Sequence, residues 1–180
     1  MRYFLIAGVL GFSFWVLSEA FEIYAGGHTD VVYYLTSLYH VLAGFGLWGL
    51  HKTQTRSSAN ALSCLSAAIV FISYLGLAYF PIQIMNSGLR VPDFLNVNPI
   101  YKALGVFWFS GMIMFGVSIL KTNYFPAWTG IFVILGSIVF TATPILNWPG
   151  TLANITNIIL SITIIYMCII SYRVFNSSTS

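Results

Sequence analysis

The chain has 180 residues, of which 58% are hydrophobic and only 6% charged, and its mean hydropathy is +0.87. A soluble domain carries roughly a quarter of its residues as Asp, Glu, Lys or Arg, so a water-covered surface is excluded. The formal charge of +3 comes from basic residues scattered between apolar runs, which excludes a nucleic-acid-binding patch.

A membrane-crossing helix takes about 20 apolar residues, and the chain divides into six such runs. The first, at 3–24, is closed by Ala25-Gly26-Gly27; the second, at 31–50, ends at His51-Lys52. Arg2, the first apolar run and Ser18-Glu19-Ala20 imitate a secretory signal with its cleavage site; a retained first helix is the expectation. A polar stretch at 53–60 leads to a third helix at 61–80, which Pro81 is expected to end. The connection at 82–99 is long, and its Leu89, Val91, Phe94, Leu95 and Val97 alternate with Arg90, Asp93 and Asn96, a pattern that suits a segment lying on the membrane surface or acting as a lid. A fourth helix at 100–120 stops at Lys121-Thr122-Asn123. The fifth, at 126–145, begins with Pro126 in its first turn, Asn147-Trp148-Pro149-Gly150 forms a tight turn, and the sixth runs over 151–172.

The expected fold is therefore an all-α, polytopic six-helix bundle with short loops and a single domain over 1–180. Arg2, Lys52, Arg56, Lys121 and Arg173 fall at one end of the helices and Arg90 and Lys102 at the other. That imbalance predicts both termini on the cytoplasmic side of a cell membrane, a bacterial inner membrane being the expected setting. Trp128, Trp148, Tyr3, Tyr24, Tyr33, Tyr34, Tyr101, Tyr124 and Tyr172 lie near helix ends, as expected of an aromatic belt. Glycines within the second, fourth and fifth helices, among them Gly44, Gly46, Gly49, Gly105, Gly111, Gly116, Gly130 and Gly136, are expected to let helices approach closely.

Ionisable groups inside a bilayer are costly and turn toward a bundle interior or a water-filled cavity. Glu19 and Glu22 are three apart and share a face near the far end of the first helix; His40 lies midway along the second. Asn154 and Asn157 repeat that spacing on the sixth helix, Thr141 and Thr143 sit near the end of the fifth, and Tyr39 and Tyr79 face in from the second and third. All but the mid-membrane His40 group fall in the half away from the termini. The pattern predicts an outward vestibule floored near His40, with Glu19, Glu22, His40, Tyr39, Tyr79, Thr141, Asn154 and Asn157 as ligand-binding residues.

Two histidines at opposite ends of the second helix, His28 and His51, do not make a haem pair with His40. Only Glu19, Glu22, His28 and Asp30 come near a zinc ligand set, so neither a haem nor a metal site is supported and no cofactor is named. Cys64 and Cys168 stand apart in apolar segments and read as free thiols. Three functions fit this placement. The first is a protein that binds or carries a small amphipathic or lipid-like molecule. The second is a membrane enzyme acting on a lipid or isoprenoid-like substrate with Glu19 and His40 as an acid–base pair. The third is a non-catalytic accessory subunit with membrane-protein partners.

Overall fold

The computed structural model describes residues 1–54, 61–146 and 148–177. They form eight helices: α1 (Arg2–Ala25), α2 (Asp30–Gln54), α3 (Ala61–Leu77), α4 (Phe80–Ser87), α5 (Val91–Val97), α6 (Pro99–Thr122), α7 (Ala127–Ile145) and α8 (Gly150–Ser177). Six stretches are long and apolar enough to cross a membrane, namely α1, α2, the run Ala61–Ser87, α6, α7 and α8. The chain is a multi-pass membrane helical bundle. Arg56 and Asn147 lie outside the described residues, and with them most of the polar stretch after the second helix and part of the turn before the last.

Each membrane span packs antiparallel on the next span in the chain, as the side-by-side residues reveal. Along α1 and α2, Phe4 and Leu5 meet Gly49, Gly8 meets Gly46, Gly11 meets Ala43, Trp15 meets Tyr39 and Ser18 meets Thr36. The same opposed progression links Gly76 with Leu104 and Gly111 with Val70 across α3 and α6, and Gly116 with Gly130 across α6 and α7. Trp128 meets Tyr166 across α7 and α8, and α8 returns to α1, where Cys168 lies against Gly8. The spans thus close into a ring, α1, α2, α3 with α4, α6, α7 and α8. The guanidinium of Arg2 lies 5.5 Å from the ring centre of Phe175, so both termini sit at one end, here the terminal end; the other is the distal end.

Two close approaches set the ring's tightness. At Gly8 and Gly46 the backbones of α1 and α2 touch, and a Cβ on either would overlap the other's main chain; Gly116 and Gly130 repeat this between α6 and α7. Gly105 differs from the expectation: a Cβ there would meet open space, because α6 turns that position away from its neighbours.

Polarity is arranged inside out relative to a soluble protein. Leu10, Leu17, Ile72, Val106, Phe107, Leu135 and Ile162 are exposed around the ring, as hydrocarbon requires, while Glu19, His40, Gln54, Asn157 and many serines are buried within it. Tyr3 and Tyr24 are 86% and 90% exposed, which suits headgroup level. Tyr101 departs from the aromatic belt, its ring packing 5.0 Å from Phe80 and 5.7 Å from Phe94.

Several helix ends differ from those expected. Pro81 does not end the third span: it stands in the first turn of α4, where its missing N–H costs nothing, and the helical path continues through Tyr79 to Ser87. The connection at 82–99 is accordingly mostly helical, with Gly88 at φ 67 closing α4 and Phe94 of α5 packed on Phe80 and Ile84. Pro126 is the residue before α7 rather than part of its first turn, since its extended ψ of 137 cannot join the helix. The second helix runs on through Gln54 and the last through Ser177, past the basic residues expected to stop them.

Candidate functional site

The distal half of α1 presents Trp15, Ser18, Glu19 and Glu22 at spacings of three and four, which places them on one stripe. Glu19 is buried with 8% of its surface exposed. Its Oε1 accepts a hydrogen bond from the Trp15 indole N–H one turn earlier and another, 2.7 Å long, from Nδ2 of Asn157 on α8. The antiparallel pairing of α1 with α8 brings this about, since Gly8 with Cys168 and Glu19 with Asn157 belong to the same progression. Asn154, one turn nearer the distal end, is buried too. Among the described residues no cation forms an ion pair with Glu19.

Behind this carboxylate the ring is filled with aromatic side chains. Trp15 stacks on Tyr39 with centroids 4.5 Å apart and meets Trp108 and Phe140 edge-on, each at 6.4 Å. Tyr74 reaches Phe12, Tyr39 and Trp108. Trp15 with Trp108, and Phe12 with Tyr74, join helices that are not neighbours in the ring, so this cluster occupies its axis. The Trp108 indole N–H, the Asn157 Oδ1 and the Ser161 hydroxyl are buried without a hydrogen-bond partner among the described residues.

His40 joins this aromatic cluster from α2. Its Nδ1 bonds to the Thr36 carbonyl on its own helix, and its ring lies 4.2 Å from Tyr39 and 5.6 Å from Tyr74. Glu19 is held by α1 and α8 and His40 by α2 and α3, with the Tyr39 ring packed against both Trp15 and His40; the two share no hydrogen bond. Thr143 is buried and donates to the Val139 carbonyl at 2.8 Å, whereas Thr141 is half-buried. Tyr79 is 63% exposed at the α3–α4 junction, because the helix continues through it instead of turning it inward.

Glu22, one turn beyond Glu19, pairs with His28 Nδ1 at 3.3 Å. His28 in turn borders a cleft of about 460 Å³ at the distal end, lined also by Asp30, Tyr33, Ile84, Met85, Gly88, Leu89, Arg90 and Val91. It lies between the start of α2 and the hinge joining α4 to α5. Arg90 is bonded to Asp93 at 2.9 Å. Among the described residues no three His, Cys, Asp or Glu side chains converge as a metal site would need.

A second polar cluster, at the terminal end, escaped sequence reasoning. Gln54 Oε1 accepts from Ser63 at 2.9 Å and from Ser118 at 3.3 Å, joining α2, α3 and α6. His51 Nδ1 bonds to Ser63, and Thr53 lies 3.3 Å from Ser171 of α8. The available signal was the His51-x-x-Gln54 spacing, which continues the buried face of α2 through Leu47 and Leu50.

Comparison with protein-family models, with curated proteins and with solved structures finds no match to this chain. The site's own chemistry must carry the functional reading. What the distal half offers is a buried carboxyl group held by Trp15 and Asn157 beside an aromatic cluster, a second carboxyl group, Glu22, one turn outward, and a cleft that mixes both signs of charge with apolar walls.

Proposed function

We propose that the chain binds or carries a small amphipathic or lipid-like molecule, which it takes up at its distal end. The observation that carries this reading is the cleft between α2 and the α4–α5 hinge. Ile84, Met85, Leu89 and Val91 supply apolar wall, and His28, Asp30, Tyr33 and Arg90 supply polar and charged groups. Ligand sites commonly combine a mostly apolar lining with a few placed polar groups, and a cleft where membrane spans end can take a head group and an adjoining chain together. The two short helices of 80–97 frame it and would act as its lid.

Orientation follows from charge. Arg2, Lys52, Lys121 and Arg173 belong to the terminal end and Arg90 and Lys102 to the distal end, so the excess of Lys and Arg directs the termini to the cytoplasm. The cleft then opens outside the cell membrane. The accessory-subunit and enzyme readings draw on the same residues, but no observation favours either: an acid–base pair acts on one reacting group, and Glu19 and His40 share no hydrogen bond.

Native mass spectrometry of protein released from mild detergent tests the proposal. Wild-type protein is expected to retain a small amphiphile, and Met85→Trp, which fills the cleft, is expected to lose it. Retention of nothing by the wild type, or equal retention by both, would overturn the reading.

A further inference from the structure

The Glu19–Asn157 pair specifies the head group of such a guest. Asn157 donates from Nδ2 to Glu19 Oε1, and its Oδ1 is buried without a donor among the described residues, in a residue only 2% exposed. Trp15 spends its N–H on the same Oε1, so Glu19 Oε2 receives no hydrogen bond from the described residues either. Two acceptors of one small cluster thus lack hydrogens among the described residues, and one belongs to a carboxyl group with which no described cation forms an ion pair. An unmet buried acceptor such as Asn157 Oδ1 is costly. Trp15, which donates to the carboxyl group, packs against Tyr39, Trp108 and Phe140, and aromatic rings attract cations.

We infer that the seat formed by Glu19 and Asn157 takes the ammonium group of an amine-bearing amphiphile, its N–H bonds directed to Glu19 Oε2 and Asn157 Oδ1. This rests on the reading that an amphiphile is taken up at the distal end. The row of acidic groups fits that route, since Glu22 lies one turn outward on the same stripe and touches His28 at the cleft's rim. A primary ammonium supplies three donors and one positive charge, which fills both acceptors and neutralises the carboxylate. A neutral alcohol supplies a single donor and no charge, and a quaternary ammonium supplies charge without N–H.

The test compares decylammonium, decyltrimethylammonium and decanol as probes of thermal unfolding, with wild-type protein and Glu19→Gln in non-ionic detergent. The amide oxygen of Gln still accepts from Trp15 and Asn157, so the variant retains the internal bonds while losing the charge. Decylammonium is expected to bind the wild type at least about tenfold more tightly than either other probe, and Glu19→Gln to lose that preference, as befits a charge-assisted hydrogen bond. If all three probes stabilise both proteins alike, uptake of amphiphiles stands and the ammonium seat is overturned. If none stabilises the wild type, both are overturned. Should Glu19→Gln fail to fold, the ranking of the three probes on wild-type protein decides alone.

Discussion

Asn157 and Trp15 donate to one oxygen of Glu19, and this arrangement makes them the groups on which burial of the carboxyl depends. Replacing Asn157 with Leu removes a donor and leaves the acid with the indole alone. Side-chain hydrogen bonds between membrane helices average about 0.6 kcal/mol and reach about 1.7, while bonds to charged groups run higher. Asn157→Leu is therefore expected to lower stability by about 1–2 kcal/mol in denaturant unfolding from micelles; unchanged stability would mean that Glu19 does not lean on α8. The residues of this cluster were partly legible in the sequence. Glu19 and Asn157 stood out because ionisable and amide groups are rare in these helices, but the donors and neighbours Trp15, Tyr74 and Trp108 did not, since an aromatic residue in an apolar run has nothing to mark it until helix faces are matched. Tyr79 shows the converse: its type suggested a vestibule residue, whereas helix continuation leaves it 63% exposed.

Among the elements, α1 and α2 form the tightest pair, and the backbone contact at Gly8 and Gly46 sets their separation. Gly46→Val is expected to cost about 1–3 kcal/mol through overpacking, because the atom it meets is main chain and cannot swing aside. Gly105→Ala, facing open space, is expected to be neutral or to stabilise by up to about 1 kcal/mol through helix propensity. The pair of unfolding midpoints checks both, and a neutral Gly46→Val would contradict the helix register. At the other end of α2, Gln54→Leu removes the acceptor shared by Ser63 and Ser118, with an expected loss of about 1–2 kcal/mol. That end was misread from sequence for a physical reason. Lys, Thr and Gln in succession resemble a loop, yet α2 continues because its buried face still meets partners on α3, α6 and α8. Pro81 misled in the same way, since proline breaks a helix interior but is tolerated in a first turn.

For the whole molecule, the number of spans was the most legible feature, because hydrocarbon demands runs of about 20 apolar residues with internally bonded backbone, and nothing about neighbouring helices alters that demand. Ring order and the distal cleft were not legible, as both depend on which faces meet. The central claim is that this cleft opens outside the cell and takes an amphiphile. Its most direct measurement is the labelling of Leu89→Cys, at the lip of the cleft, by a membrane-impermeant maleimide in intact cells, with Cys64 and Cys168 replaced. The account predicts labelling without permeabilisation and a slower rate when decylammonium is present; labelling only after permeabilisation, or a rate indifferent to the amphiphile, would contradict it.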